Sequence, residues 1–513
     1  MNNKKIYLIL IALFLLSLTI RTIPNLANST DFEVGFDTGI YQFLTEKYAS
    51  HETYPYLNTY PVLSENEDTY FALLMEPGVF LLFGVISKIT GIDGLSLYFV
   101  FLQIITTLIF SIIIFHISYK LFGNYKVALI SIFLFAVSYF QFNSLNESFY
   151  KQLFATFLLL MSLVYYSKLK NEKSFYLIIL ISLLGSAIFI IHKGIFFLFF
   201  LLTLFLFIFS LYKKDKFVIK AIFSICLIFL LITSAYLINN FELNKRFFID
   251  SVDKLYSTND LGASPSKLKG LTIPPLLSYI LEISFLTIFA IQGFAYMKNK
   301  KKAYLFISFV SILLFLIITE FMFSKRFLYT FDIFVIIFSS AGLFIFLRRF
   351  NKKLIALTIF LVALILIISA LDFQMSKKPY IFRDDGGLKW LNDNVSKNES
   401  IIFAPDYIAT SLKKYGFHVS IYDDRLAGEG SDYFVNTELF LAEAHDNISL
   451  LYENNISEDV YVIWGNWDES NYLPITKKRI SVNGYNSSQY FNLVYSGSNE
   501  IKKIYLIRNE TSI

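Results

Sequence analysis

Long apolar runs recur from residue 6 to about residue 371 of this chain. Many are close to 20 residues long, which is the length that an α-helix needs to cross the hydrocarbon core of a bilayer. Of the 513 residues, 55% are hydrophobic and 17% are charged, and a soluble fold cannot bury that much apolar surface. The pattern predicts a polytopic α-helical membrane protein. It excludes a cytosolic enzyme and, despite the net charge of +5, a nucleic-acid-binding domain. A disulfide scaffold is excluded because Cys226 is the single cysteine.

The runs predict about eleven transmembrane helices. They lie at residues 6–23, 95–117, 127–145, 152–167, 174–191, 194–212, 217–238, 274–297, 303–320, 328–347 and 354–371. A further stretch at 71–89 is interrupted by Glu76, Pro77 and Gly78. We interpret it as a helix lying at the outer membrane interface, where proline and glycine are tolerated because the segment does not cross.

Basic loops set the predicted orientation. With a cytoplasmic start at Lys4 and Lys5, five short basic loops face the cytoplasm, at 120–126, 168–173, 213–216, 298–302 and 348–353. If 71–89 also crossed, all five would face outside, which the positive-inside rule disfavours. The prediction is therefore a multi-pass protein of the cell membrane with a cytoplasmic N-terminus and an extracytoplasmic C-terminus.

A change in charge separates two predicted domains near residue 371. Residues 1–370 contain 31 Lys and Arg against 20 Asp and Glu, whereas 371–513 contain 14 against 20. We predict a transmembrane domain at 1–371, including an outer loop at 24–70, and an extracytoplasmic soluble α/β domain at 372–513. The tail has helical spacing at 386–394 and strand-like runs at 400–404, 459–464 and 503–507. It also has six Asn-x-Ser/Thr sequons. These either are glycosylated on an extracytoplasmic surface or arise by chance in an Asn-rich chain.

Acidic residues in the predicted outer loops are the first candidate site. Asp31, Glu33 and Asp37 follow the first span within seven residues, and Asp37 lies between Gly35 and Gly39. Carboxylates at the membrane surface can act as a general base or hold a divalent metal such as Mg²⁺ or Mn²⁺. Glu147, after the third span, is a second catalytic candidate. The alternative is an acidic loop exposed to solvent.

Basic residues at the outer ends of other spans are the second candidate site. His192 and Lys193 lie between the fifth and sixth spans, and Lys325 and Arg326 lie just before the tenth. These groups suit a lipid-linked phosphate, which Arg binds with two parallel hydrogen bonds and Lys as a point charge. The alternative is that they extend toward the lipid headgroups. Because the chain has no Walker A, HExxH or dinucleotide motif, an enzyme here must take an activated substrate from the membrane.

Together these segments resemble the GT-C superfamily, multispanning glycosyltransferases that use polyprenyl-phosphate-linked sugars. The resemblance covers most of residues 6–350 and follows this order: a first span ending in Arg21, Gly35-Phe36-Asp37-x-x-x-Tyr41, Glu76-Pro77-Gly78, Leu121-Phe122-Gly123, Ser138-Tyr139-Phe140 leading to Asn146-Glu147, His192-Lys193-Gly194, and Lys325-Arg326-Phe327-Leu328-Tyr329.

The resemblance implies a hexosyltransferase that moves a sugar from dolichyl- or undecaprenyl-phosphate to a glycan, lipid or protein acceptor on the outer face, with inversion. Asp37 would then be the base or a metal ligand, with Glu33 and Glu76 as further candidate ligands. Arg21, His192, Lys193, Lys325 and Arg326 would bind the lipid phosphate. The Trp-Trp-Asp-Tyr-Gly motif of oligosaccharyltransferases is missing, and this favours transfer of a single sugar. A transporter or flippase of lipid-linked sugars is the alternative function.

Overall fold

Two compact units make up the chain in this computed structural model. The first comprises residues 1–24 and 99–376, and the second comprises 25–98 and 377–513. The structure describes residues 3–27, 45, 48–49, 76–92, 97, 104, 106–138, 140–141, 150–239, 266–268, 271–273, 276, 279–280, 283–298, 304–319, 324–348, 352–375, 386–397, 400–404, 412, 415, 417, 419–421, 459–465, 491–498 and 501–507. The outer-loop region is thus grouped with the tail, and the domain division near residue 371 stays a prediction.

Apolar helices build the first unit. They are α1 (Asn3–Ala27), α3 (Thr106–Phe122), α4 (Tyr125–Ala136), α5 (Tyr150–Glu172), α6 (Phe175–Ile191), α7 (Lys193–Tyr212), α8 (Lys216–Asn239), α9 (Ser284–Lys298), α10 (Tyr304–Ile318), α11 (Ser324–Leu347) and α12 (Lys352–Met375), with a short antiparallel hairpin of β1 (Ser266–Leu268) and β2 (Leu271–Ile273) between α8 and α9. Each predicted span overlaps one of these helices. The helix α2 (Gly78–Thr90) belongs to the second unit.

Five described helices are long and apolar enough to cross a membrane. They contain the segments Lys4–Ile23, Tyr150–Leu169, Lys193–Tyr212, Lys216–Ile238 and Phe327–Leu347. The other apolar helices apart from α12 are shorter, with 10–17 residues. Helix α4 ends at Ala136 although the sequence predicted a span to residue 145. The structure therefore agrees with a helical membrane protein, and the number of crossings stays a prediction.

Three side-chain contacts bring several predicted cytoplasmic loops to one end of the first unit. Lys120 Nζ donates a hydrogen bond to Ser167 Oγ, which joins the C-terminal ends of α3 and α5. The rings of Phe122 and Tyr296 lie 6.3 Å apart, and those of Phe209 and Tyr304 lie 5.1 Å apart. Loops at 120–126, 168–173, 213–216 and 298–302 thus begin at the same end of the bundle.

Close backbone contact defines the crossing of α9 and α11. A Cβ atom at Gly293 would overlap the carbonyl oxygen of Phe338, and one at Gly342 would overlap that of Phe289. Ser339 Oγ adds a 2.9 Å hydrogen bond to the carbonyl oxygen of Leu286. Small residues that let two helices approach are typical of packing inside membranes, where the hydrophobic effect does not drive helix association. The contacts fix the second half of α11 against α9.

The described part of the second unit contains a mixed sheet of five strands. Its strands are β3 (Ser400–Ala404), β4 (Val419–Ile421), β5 (Asp459–Gly465), β6 (Phe491–Ser496) and β7 (Ile501–Ile507), in the order β4-β3-β5-β7-β6. The strand β3 is parallel to β4 and β5, whereas β7 is antiparallel to β5 and β6.

Apolar packing holds α13 (Gly386–Asn394) against this sheet. Leu388 and Leu391 are buried. The Trp390 ring lies 6.3 Å from the rings of both Tyr461 and Tyr495. Helix and strands occur where the spacing and apolar runs of the tail predicted them.

Candidate functional site

Several predicted site residues lie outside the described residues. These are Asp37 and Glu147, the two catalytic candidates, and Glu33, a candidate metal ligand. Lys325 and Arg326 form part of the first turn of α11, but their side chains are also outside the described part of the structure. Their roles stay predictions.

Arg21 lies near the C-terminal end of α1 and is 4% exposed. Its guanidinium donates hydrogen bonds to Ser17 Oγ and, at 3.2 Å, to the carbonyl oxygen of Phe135 at the end of α4. The same group lies 4.4 Å from the centre of the Phe135 ring. Arg21 therefore joins α1 to α4, a structural role that the sequence did not predict for it.

The His192-Lys193 turn between α6 and α7 is buried. His192 is the N-cap of α7, and its Nδ1 accepts a 3.3 Å hydrogen bond from the backbone N–H of Ile195. Because Nδ1 accepts, the proton of the neutral imidazole is on Nε2. The backbone of His192 is extended, as is usual for an N-cap.

Aromatic rings surround the neighbouring ammonium group. Lys193 Nζ lies 3.4 Å from the centre of the Phe189 ring and 4.8 Å from that of Tyr236, near the end of α8. Lys193 is 6% exposed. Ring faces attract a cation through their quadrupole, so burial of this lysine costs less than in an aliphatic setting.

Glu76 is half-buried and precedes Pro77, the N-cap of α2 in the second unit. Among the residues that the structure describes, no three His, Cys, Asp or Glu side chains are grouped closely enough to hold a metal ion. Asp37 and Glu33 lie outside the described residues, and a Mg²⁺ or Mn²⁺ site at these acids stays a prediction.

The structure adds a buried carboxylate that the sequence analysis did not single out. Asp332, in α11, is 1% exposed. Tyr279 donates a 2.6 Å hydrogen bond to its Oδ1, while Gln141 Nε2 and Ser138 Oγ donate to its Oδ2 at 2.8 and 3.2 Å. Three donors from two other segments of the chain thus satisfy an acid inside a membrane-length helix, as a buried carboxylate requires.

The orientation of the Gln141 amide follows from its partners. Its Nε2 also donates a 3.0 Å bond to the carbonyl oxygen of Tyr329. A carboxylate oxygen and a carbonyl oxygen both accept, so the nitrogen must face them and the two amide protons are assigned. A narrow cleft beside this group is lined by Gln141, Gln152, Thr156 and Tyr329 together with Phe110, Leu153 and Ile333.

Aromatic packing encloses the Asp332 network. The Phe140 ring centre lies 5.0 Å from that of Tyr279 and 4.5 Å from that of Tyr329. Tyr279 also contacts Phe331, with ring centres 6.1 Å apart. These rings exclude water from the hydrogen bonds, which strengthens each of them.

One signal in the sequence could have identified Asp332. An ionisable residue inside an apolar span is rare and usually functional, and Asp332 lies six residues after Arg326 within the tenth predicted span. Its partners gave no such signal, because Ser138, Gln141 and Tyr279 are neutral and lie far from it in the sequence.

The described candidate residues of the first unit lie at one of its ends. Arg21 and Phe135 mark the ends of α1 and α4, Lys193 begins α7, and Asp332 lies in the first half of α11. This end is opposite to the contact of Lys120 with Ser167, because α6 returns antiparallel to α5 and ends at Ile191. The helices therefore gather two cations and one carboxylate at the end that the topology predicts to be extracytoplasmic.

No protein family model matches the chain, and no curated protein is similar to it in sequence.

Proposed function

We propose that this protein is an integral membrane glycosyltransferase that moves a sugar from a polyprenyl-phosphate donor to a glycan, lipid or protein acceptor on the extracytoplasmic face. In this proposal about eleven helices cross the cell membrane, the N-terminus is cytoplasmic, and an α/β domain at 372–513 is extracytoplasmic. The helix at 71–89 lies at the outer interface. The proposal rests on the resemblance to the GT-C superfamily and on the described end of the bundle.

The buried turn at His192 and Lys193 is the observation that carries the proposal. It places a cation among Phe189 and Tyr236 at the ends of α6, α7 and α8. A polyprenyl phosphate combines an apolar chain with an anionic head, and a lysine in an aromatic, apolar setting is complementary to both parts.

The reaction is a single inverting displacement at the anomeric carbon. The acceptor hydroxyl oxygen attacks that carbon, and Asp37 takes the hydroxyl proton as a general base. The bond from the anomeric carbon to the phosphate oxygen breaks, and the polyprenyl phosphate leaves with the bonding electron pair. Lys193, Lys325 and Arg326 stabilise the charge that develops on the phosphate. A divalent metal held by Asp37, Glu33 and Glu76 would supply further positive charge to the leaving group.

Turnover of a labelled donor tests this function. Purified protein in lipid nanodiscs is incubated with radiolabelled polyprenyl-phosphate hexoses and membrane extract as the acceptor source, and loss of the lipid-linked sugar is followed. We expect turnover by the wild type and a loss of about 100-fold or more in Asp37→Asn, as for removal of a general base. Asp253→Asn is the matched control, because Asp253 lies in the predicted outer loop between the seventh and eighth spans and has no assigned role; it should keep wild-type turnover. An active Asp37→Asn variant would exclude Asp37 as the base.

Movement of lipid-linked sugars across the membrane is the second candidate function. The observation that favours it is Asp332, because acidic groups within spanning helices commonly mark substrate or ion paths. The two functions differ in product: a flippase leaves the sugar-phosphate bond intact and changes only the leaflet in which the donor resides. A donor that stays intact with every sugar and acceptor, yet becomes accessible on the other side of a vesicle, would favour transport.

A further inference from the structure

Asp332 connects three parts of the chain that are far apart in sequence. Its carboxylate binds Ser138 and Gln141, which follow α4, and Tyr279, which precedes α9, while Asp332 itself belongs to α11. Gln141 also binds the carbonyl oxygen of Tyr329, one turn earlier in α11. The bonds thus fix the rotation of α11 about its axis relative to the segments beside it.

Two of the three parts lead to a candidate residue of the proposed site. Gln141 precedes Glu147 by six residues. Lys325 precedes Asp332 by seven residues, which is two helical turns, or about 10 Å along the helix axis. Residues seven apart in an α-helix share a face to within about 20°. A rotation of α11 at Asp332 would therefore turn the backbone of Lys325 by the same angle.

We propose that Asp332 is a positioning residue for the phosphate of the lipid-linked substrate and that it acts through Lys325. This inference rests on the proposed function for the identity of the ligand. By accepting from Gln141 and Tyr279, the carboxylate holds the first two turns of α11, and with them the backbone of Lys325, in one rotation. Tyr279 and Gln141 are positioning residues of the same kind.

Helix packing alone does not account for this carboxylate. The crossing of α9 and α11 is already maintained by Gly293, Gly342 and the hydrogen bond of Ser339, which lies two turns after Asp332. An apolar residue at 332 would pack in the bundle without the cost of taking a charge out of water. The three hydrogen bonds to Asp332 are therefore better explained as fixing the rotation of α11 about its axis than as holding the helices together.

Two substitutions test the hydrogen bonds without changing side-chain shape. Asp332→Asn leaves one acceptor oxygen for the three donors of Tyr279, Gln141 and Ser138. Tyr279→Phe removes the hydroxyl and keeps the ring packing against Phe140 and Phe331. Ser339→Ala is the matched control, because it removes one hydrogen bond from the same helix without touching the network.

Binding and turnover are measured separately. Binding of polyprenyl phosphate to protein in nanodiscs gives a Kd without chemistry, and donor consumption gives kcat and KM. Melting temperatures report stability. For Asp332→Asn and Tyr279→Phe we expect the Kd and the donor KM to rise about tenfold, because a displacement of about 1 Å at a binding group has effects of this order or larger. Ser339→Ala should lower the melting temperature and leave Kd and KM within about twofold of wild type, since it lies outside the network.

The outcomes separate this inference from the proposed function. If the wild type binds polyprenyl phosphate without transferring sugar, and both variants bind it more weakly, the transferase function fails and the positioning role stands. If wild-type turnover is seen and both variants keep the wild-type Kd and KM, the positioning role is wrong. Equal losses of affinity in Ser339→Ala and in the network variants also overturn it, because they indicate general destabilisation. If Asp332→Asn does not fold, the result for Tyr279→Phe alone tests the positioning role. A wild type that neither binds polyprenyl phosphate nor transfers sugar overturns both proposals.

Discussion

Lys193 and Asp332 are both buried at the same end of the helical unit, but their surroundings differ. Lys193 Nζ lies against the rings of Phe189 and Tyr236, at 3.4 and 4.8 Å from their centres. Asp332 accepts three hydrogen bonds of defined direction, from Ser138, Gln141 and Tyr279. The Lys193 ammonium group contacts the faces of aromatic rings, whereas the Asp332 carboxylate is bound by hydrogen-bond donors.

This difference separates two kinds of role. Ring faces attract a cation but impose little direction on it. Displacing the carboxylate would leave buried donors without an acceptor, which is costly. We infer that the surroundings of Lys193 suit direct contact with a ligand, whereas those of Asp332 suit fixing the protein itself. The following variants test this contrast, beginning with the largest expected effect.

Asp332→Leu should have the largest effect on stability. The leucine leaves the buried donors of Tyr279, Gln141 and Ser138 without this acceptor, and we expect a loss of about 3 kcal/mol, allowing for the relief of the buried charge. Thermal unfolding in detergent, followed by size-exclusion chromatography, measures it. A variant that melts at or above the wild-type temperature would show that the network is dispensable and would remove the contrast with Lys193.

Gly342→Ala should come next. The added methyl group would overlap the carbonyl oxygen of Phe289 in α9, and we expect a loss of about 2 kcal/mol from overpacking. Gly185→Ala is the control, because its Cβ would lie 2.7 Å from the ring of Phe199, a side chain that can move, rather than from the backbone. If the two variants are equally stable, the close crossing does not hold α11, and the Asp332 bonds alone would have to position it.

The sequence predicted the helical part of this fold well for a physical reason. Apolar runs such as 194–212 have no alternative in a bilayer, because backbone polar groups must be satisfied within the helix. The corresponding helix, α7, covers Lys193–Tyr212. Periodicity also located α13 and three strands of the tail. The positions at which helices end were less predictable, as at α4, which stops at Ala136.

The candidate site was predictable only in part. His192 and Lys193 stood out because charged residues at the end of an apolar run are conspicuous. The Asp332 network was not conspicuous in the sequence, because Gln141 and Tyr279 contact Asp332 only when α4, α9 and α11 pack together. The packing of α9 against α11 depends on Gly293 and Gly342. Sequence spacing gives no measure of such contacts between distant segments. The contact of Lys193 with the Tyr236 ring was missed for the same reason, since Tyr236 is 43 residues away.

Lys193→Met should affect activity far more than stability. Methionine keeps most of the length and apolar surface of the lysine stem, so we expect the free energy of unfolding to change by less than about 1 kcal/mol. Donor consumption should fall about 100-fold, as when one group that stabilises developing charge is removed. Lys193→Arg, which keeps the charge, should retain more activity than Lys193→Met. A large loss of stability in Lys193→Met would assign the lysine a structural role and make it similar to Asp332.

Tyr166→Phe should have the smallest effect, and it calibrates the comparison with a neutral group. Tyr166 and Thr203 share a buried 2.8 Å hydrogen bond between α5 and α7. Thr203 Oγ1 also donates to the carbonyl oxygen of Phe199 at 2.8 Å, so removing the phenol hydroxyl leaves the threonine satisfied. We expect a loss of about 0.6 kcal/mol, the average for such bonds between membrane helices, seen as a small decrease in melting temperature. If Tyr166→Phe lowers the free energy of unfolding as much as Asp332→Leu does, the loss at Asp332 reflects the burial of polar groups in general. If the loss in Tyr166→Phe is several times smaller, the additional loss in Asp332→Leu is due to the convergence of three donors on one carboxylate.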